Sequence, residues 1–226
     1  MRILLPKGTF AVKRIACYIS FQGAVCSLLF LQQRVFVILA LTEVKGVSAD
    51  LAGLIVAAGS LSWSAAAWLQ AKLDVRDQGR GRKHRVMAGI GIMIAGTVLV
   101  ILALMLSEGG IILILLSQMI TGFGVGLANP TTAAIALQHA EPGKEGEISS
   151  NLQFVDSFYM GVSIGVGGAL IALSETLQWG ISTGVVIVLT LQLLWVLLSF
   201  FASLRITELV HQDHHPISQS KENLPM

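Results

Sequence analysis

Charged and turn-forming residues divide this sequence into six long apolar runs. A helix that crosses the hydrocarbon core of a bilayer needs about 20 such residues, within a range of about 17 to 25. Hydrophobic residues make up 54% of the chain and charged residues only 12%, which is too apolar for a soluble domain. The sequence therefore predicts an all-α, polytopic membrane protein, with six transmembrane helices at about 15–42, 50–71, 86–106, 111–139, 148–173 and 178–204.

Lysine and arginine are concentrated in alternate connections between these runs. They precede the first run, fill the connection after the second, and follow the fourth and the sixth, whereas only Lys45 lies on the other side. Because cationic loops remain in the cytoplasm, this asymmetry fixes one orientation. We expect a multi-pass protein of the cell (plasma) membrane with both termini cytoplasmic: an N-terminal segment over 1–14 and a polar tail over 205–226 that is disordered.

The stretch "AKLDVRDQGRGRKHRV", residues 71–86, interrupts the apolar pattern with a cluster of cations. Read alone, such a cluster could bind the phosphates of a nucleic acid. Between two membrane runs it is better explained as an orientation signal, so we predict the lipid bilayer as a partner and no nucleic acid.

Motifs of known enzymes and metal sites do not support a catalytic function. The sequence contains no HExxH, Walker or GxSxG pattern. Cys17 and Cys26 would point to opposite faces of one helix. His211, His214 and His215 could chelate a metal, although a short polar tail is more often disordered. We therefore predict no enzyme activity, no cofactor and no metal site.

Polar side chains are unevenly distributed among the runs. The third and sixth runs hold few and are expected to face lipid, whereas the others could line a path. In the fifth, Asp156 is an intramembrane carboxylate that could bind and release a proton; alternatively it is hydrated near the cytoplasmic end, or pairs with a neighbouring helix. The residues predicted to line a path or to couple protons are Gln33, Arg34, Gln118, Asn129, Gln153 and Asp156.

Arg34 has several possible roles in the first run. It could attract an anionic substrate or pair with Asp156, or it could extend to the membrane surface or form a purely structural ion pair. In the fourth run, Asn129 and Pro130 should break or kink the helix.

Glycines at four-residue spacing are a second signal in the fourth and fifth runs. Gly122 and Gly126 in the fourth, and Gly161 and Gly165 in the fifth, would let helix backbones approach closely. This spacing predicts tight helix packing, with a moving gate as the alternative.

Four stretches resemble the C-terminal half of a major facilitator superfamily transporter of the bacterial drug/proton antiporter type. The resemblance runs from Leu5 to Arg205, and the stretches that carry it are "ALTEVKGVSADLAGL", "WLQAKLDVRDQGRGRKHRV", "TGFGVGLANPTTAAIAL" and "EPGKEGEISSNLQFVDSFYMGVSIGVGGAL". It implies two inverted three-helix repeats and a substrate site near the midplane between two halves. It also implies that the first and fourth helices line the path, the second and fifth meet the other half, and the third and sixth face lipid.

The loop after the second helix has a role in that family, where an Asp, a Gly and several cations help to latch the cytoplasmic side. The residues that stand in those places here are Asp77, Gly79, Arg80, Arg82 and Lys83. Arg34 departs from the pattern, because similar proteins commonly have an acidic or neutral residue there.

The resemblance implies transport of a small molecule by a secondary transporter, with proton-coupled efflux as its specific form. Six helices cannot enclose a path between two halves. We therefore expect a separately encoded N-terminal half, or a second copy of this chain, as a partner. The alternative is a non-transporting protein, either a truncated remnant or a scaffold whose small-residue faces bind another membrane protein.

Overall fold

The structure is a computed structural model that describes residues 32–106, 110–138, 143 and 145–204. These residues form helices and short connections. The first helix, α1, is described over 32–44 and ends in a π-helical turn, Ala40–Val44. Five longer helices follow it: α2 (Ala49–Arg76), α3 (Arg82–Met105), α4 (Gly110–Gln138), α5 (Glu145–Thr176) and α6 (Ile181–Ser203).

The predicted all-helical, membrane-spanning character is confirmed, because α2 to α6 are each long and apolar enough to cross a membrane. Most of the first predicted run, over 15–31, lies outside the described residues, as do the segment 1–14 and the tail 205–226. The helices α2 and α3 extend further into the charged loop between them than the predicted runs 50–71 and 86–106. Hydropathy marks the edge of the hydrocarbon core, whereas the backbone hydrogen bonds of a helix continue beyond that edge.

The connection from α1 to α2 contacts the C-terminal end of α3. Gly46 adopts a positive φ of 64°, which a residue without a Cβ adopts readily. The hydroxyl of Ser48 then caps α2 by accepting from the backbone N–H of Leu51. Lys45 Nζ donates to the carbonyl oxygen of Leu106 at 2.5 Å, and a cation at this position suits the negative end of the α3 dipole.

The helix α4 lies at the centre of the described bundle, between α2 and α3. Glycines permit both contacts. A Cβ added to Gly59 of α2 would lie 2.9 Å from the backbone oxygen of Gln118 in α4, and a Cβ on Gly89 of α3 would lie 2.5 Å from that of Gly124. Close backbone approach therefore replaces side-chain packing on two faces of one helix.

The other contacts leave one helix exposed. The helix α3 packs against α6, and α6 packs against α5 and the end of α1. In an apolar stretch of 18 residues within α5 only 17% of the residues are buried, against 56% in the corresponding stretch of α4. The helix α5 therefore presents a large open face.

Candidate functional site

Arg34 is held against α2. Its guanidinium Nη2 donates to Ser60 Oγ at 2.5 Å and to the backbone oxygen of Val56 at 3.3 Å. Val56 and Ser60 are four residues apart, so they lie one above the other on the same face of α2. These two hydrogen bonds lead to α2, and the suggested pairing with Asp156 of α5 stays a prediction.

The glutamines that precede Arg34 connect α1 to two other helices. Gln33 is fully buried, and its Oε1 accepts a hydrogen bond from Gln192 Nε2 of α6 at 3.2 Å. Gln32 Nε2 donates to the backbone oxygen of Ser163 in α5 at 3.4 Å. Three consecutive polar residues of α1 therefore reach α5, α6 and α2, which makes α1 the polar junction of the described bundle.

Gln118 is buried where α4 crosses α2. Its side chain has no exposed surface, and neither polar atom of its amide has a hydrogen-bond partner among the residues that the structure describes. On the same stretch of α4, Ser62 of α2 donates its hydroxyl to the backbone oxygen of Met119 at 2.7 Å. An amide buried without partners costs about 1–3 kcal/mol. Gln118 therefore destabilises the contact between α2 and α4.

The predicted break at Asn129 and Pro130 does not occur, since α4 continues as one helix to Gln138. Asn129 is half-buried. The next two residues, Thr131 and Thr132, donate their hydroxyls back to the carbonyls of Leu127 and Ala128 at 2.7 Å and 2.5 Å. A proline is tolerated within a membrane helix, and α4 persists through Pro130.

Gln153 and Asp156 of α5 differ in their surroundings, because Asp156 lies in line with Ser163 and with the buried Gly167, which face α1. Gln153 is exposed and Asp156 is half-buried. Asp156 lies seven residues into the spanning part of α5, Ser149–Thr176, or about 10 Å at 1.5 Å per residue. Phe154 and Phe158, which stack with their centroids 6.3 Å apart, lie on the opposite side of α5.

The two glycine pairs differ in their surroundings although their spacing is the same. A Cβ on Gly122 would collide with the backbone of Gly59, and a Cβ on Gly126 would lie 2.6 Å from Ala66 Cβ. At Gly161 and Gly165 of α5, an added Cβ would meet nothing within 4 Å in the described part of the chain. The first pair lies in a helix contact, and the second lies on the open face of α5.

The loop between α2 and α3 contains a compact set of ion pairs, which we name the loop cluster: Asp74, Asp77, Arg82 and Arg85. Arg82 Nε and Arg85 Nη2 donate to Asp74 Oδ1 at 2.8 Å and 2.6 Å, and Arg85 Nη1 also pairs with Asp77 Oδ2. Asp77 Oδ1 accepts from the backbone N–H of Gly79 at 3.1 Å. The cluster fastens the end of α2 to the start of α3.

The loop cluster contains part of the predicted latch. Asp77 and Arg82 belong to it, and Gly79 supports it with a positive φ of 81°. Arg80 is exposed and Lys83 is half-buried, and neither belongs to the loop cluster. Sequence reasoning missed Asp74 as the shared acceptor, although its place three residues before Asp77 puts both carboxylates on one side of α2.

The loop cluster predicts a specific pH dependence of stability. The hydrogen bond from Arg85 holds the pKa of the Asp77 carboxyl below its usual value. A folded-state pKa below the unfolded one stabilises the folded chain above about pH 4, and this contribution disappears as the pH falls through the folded pKa. Below about pH 4, we expect the free energy of unfolding to fall less steeply with decreasing pH in Asp77→Asn than in the native chain. The difference should be less than about 1 kcal/mol, because the side chain is partly exposed.

The matched control for this prediction is Asp50→Asn, an exposed carboxylate in the first turn of α2. Unfolding in detergent, followed by circular dichroism at several pH values, compares the two variants with the native chain. If the pH dependence of the free energy of unfolding changes equally in Asp50→Asn, the ion pair of Asp77 with Arg85 is not its cause.

Comparison with known proteins identifies the family. The sequence model of the Major Facilitator Superfamily matches residues 4–163, which include α2, α3, α4, the loop cluster and Asp156. A comparison with curated proteins gives no match. The described helices agree with the family match, because five of them could cross a membrane. The chain therefore belongs to the Major Facilitator Superfamily, a family of secondary transporters, and is a multi-pass membrane protein.

Proposed function

We propose that this protein forms one half of a major facilitator transporter and exports a small molecule in exchange for protons that bind Asp156. Its six membrane helices would form two inverted three-helix repeats, of which the described residues supply the last five helices and the end of the first. The second half would be a separately encoded N-terminal half or a second copy of the chain. The observation that carries the proposal is the carboxylate of Asp156, half-buried within α5, a helix whose other side is open.

Two polar side chains of α5 would be unfavourable against lipid. Gln153 is exposed and Asp156 is only half-buried, yet both lie within a helix that is long and apolar enough to cross a membrane. Polar and charged groups at membrane depth usually face protein or a water-filled cavity. A second half that covers α5, with a hydrated path between the halves, would supply that environment.

The glycines of α5 support the same arrangement. Gly161 and Gly165 leave an open surface on which a partner helix could approach the backbone closely. Lysine and arginine are concentrated on one side of the chain, so both of its termini would lie in the cytoplasm. A partner would then be oriented in parallel with it, and the complex would lie in the plasma membrane. The loop cluster would then lie on the cytoplasmic side, as the family latch does.

Asp156 is the carboxylate that we assign to proton coupling. In the described helices it lies about 10 Å inside the spanning part of α5. A carboxylate there can be neutral when the path faces one side and ionised when it faces the other, so that each cycle carries one proton.

The test is proton-coupled transport in proteoliposomes that contain the chain alone or together with an N-terminal half. We expect Asp156→Asn to reduce proton movement at least about 100-fold, since the amide cannot exchange a proton at neutral pH. The matched control is Glu175→Gln, which removes an exposed carboxylate from the other end of the same helix. Coupling that persists in Asp156→Asn, or fails equally in Glu175→Gln, would contradict the assignment.

A second outcome would favour the scaffold hypothesis. If the chain folds and binds a second membrane protein through α5, but neither preparation moves protons or any tested solute, the open face serves association alone.

A further inference from the structure

We propose that the C-terminal end of α2 binds the headgroup of an anionic phospholipid, with Lys72 and Arg76 as the ligands of its phosphate and Trp68 at the edge of the hydrocarbon core. The site lies on the open side of α2 and does not depend on the proposed transport. Three properties of α2 support it: the open side itself, the charge of the loop that follows, and the depth of the residues in the membrane.

One side of α2 is open along most of its length. Four large apolar residues occur there at seven-residue intervals and are 63% to 82% exposed: Leu54, Leu61, Trp68 and Val75. Two turns of a helix take about seven residues, so these side chains share one face. An apolar stripe of this kind suits the acyl chain of a lipid that lies beside the helix.

Two cations continue this side of α2 beyond Trp68. Lys72 and Arg76 are exposed, and the four-residue spacing of the three residues keeps them on one side of the helix. Lys72 Nζ lies 3.6 Å from the centre of the Trp68 ring, and this cation–π contact holds the ammonium group beside the ring. Because tryptophan rings favour the boundary between membrane and water, the ammonium group is held next to the lipid phosphates.

The carboxylates of the loop do not neutralise these cations. The acidic residues of the stretch 71–86 are Asp74 and Asp77, and both pair with arginines of α3 in the loop cluster. Asp74 is two residues from both Lys72 and Arg76, which places it about 160° away around the helix. Within the described residues neither cation pairs with a carboxylate. Two positive charges therefore remain on the open side of α2.

The depth of these residues matches the layers of a bilayer. Trp68 is nineteen residues after Ala49, where α2 begins, and Lys72 is four residues further. At 1.5 Å per residue these positions are about 28 Å and 34 Å along the helix. The hydrocarbon core is about 30 Å thick, and the headgroups extend the bilayer to about 40–45 Å. Lys72 therefore reaches the headgroup layer, and the long side chain of Arg76 can reach back to the same layer.

Charge complementarity favours a lipid over a second copy of this chain. Two parallel copies that met through this side of α2 would bring Lys72 of one copy against Lys72 of the other, because such an interface is self-complementary. An anionic phospholipid supplies an apolar chain for Leu61 and Trp68 and a negative charge for both cations.

Native mass spectrometry of the full-length chain in a nonionic detergent counts the lipids that stay bound. The probes are phosphatidylglycerol and phosphatidylcholine with identical acyl chains, so that only the headgroup differs. Each cation near an anionic membrane surface strengthens binding about fivefold, so we expect phosphatidylglycerol to bind about 25-fold more tightly. Lys72→Gln or Arg76→Gln should each reduce this preference about fivefold, and the double variant should abolish it.

The matched control is Arg80→Gln, which removes the same charge from an exposed arginine in the turn after α2 and should keep the preference. The three residues are exposed, so the variants should fold. Glycerol phosphate presents a phosphate group in soluble form, and at the same concentration as the lipid we expect it to displace none.

Four results would overturn the lipid site. The first is equal binding of the two lipids, and the second is an equal loss of preference in Arg80→Gln and Lys72→Gln. The third is displacement of the lipid by glycerol phosphate, which would assign a soluble phosphate to the site. The fourth is release of the lipid when an N-terminal half assembles with the chain, which would show that protein covers this side of α2.

Discussion

We expect Gly122→Val to lower the free energy of unfolding by about 3 kcal/mol, near the upper end of what overpacking causes. A Cβ at this position would collide with the backbone oxygen of Gly59 in α2 and would lie 3.0 Å from its carbonyl carbon. Because the obstacle is backbone, no side chain can rotate away to make room. The two helices would have to separate along the whole contact between α2 and α4, which is among the most extensive in the described bundle.

The control for Gly122→Val is Gly161→Val, which makes the same change at a glycine of α5. Its added Cβ meets nothing within 4 Å in the described residues, so it carries the same change in helix propensity without the collision. Thermal unfolding in detergent, with the yield of monodisperse protein, compares the two. A similar loss in both variants would show that the contact between α2 and α4 is not the cause.

The second large effect has the opposite sign. We expect Gln118→Leu to raise the free energy of unfolding by about 1–3 kcal/mol, because it removes a fully buried amide that has no hydrogen-bond partner among the described residues. Leucine is close to glutamine in volume, so the contact of α4 with Gly59 should survive. If Gln118 also lines the path, as the sequence predicts, transport should fall although stability rises.

The matched control for Gln118→Leu is Gln192→Leu in α6. This variant removes the donor that bonds Gln33 Oε1 at 3.2 Å, and we expect it to destabilise the chain by about 1 kcal/mol or more, since a partner group in a buried site is left behind. Unfolding of both variants under one set of conditions gives the comparison. A destabilised Gln118→Leu would mean that its amide is satisfied in the folded protein.

The loop between α2 and α3 shows how far the sequence reaches toward a site. Asp77, Gly79 and Arg82 could be selected from their resemblance to the family loop, because a tight turn between two helices constrains spacing as well as residue type. Asp74 and Arg85 could not be assigned as partners, because their ion pair at 2.6 Å depends on how α3 returns beside α2 after the turn. The carboxylate that both arginines share was therefore visible only in the structure.

The sequence by itself determined that the chain forms helices and that these helices lie in a membrane, because the length and composition of an apolar run decide both. It also determined which residues share a face of one helix, since this follows from 3.6 residues per turn. Which faces meet was decided only by the tertiary structure. Gln192 lies in a nearly apolar helix that was expected to face lipid, yet it is buried against Gln33.

The glycine pairs make the same distinction. Gly122 with Gly126, and Gly161 with Gly165, have the same spacing, yet only the first pair touches another helix in the described chain. Spacing is a property of one helix, whereas contact depends on the relative position of two helices that are far apart in sequence. No local pattern contains that information, so the polar junction at α1 and the open face of α5 emerged only when the helices were packed together.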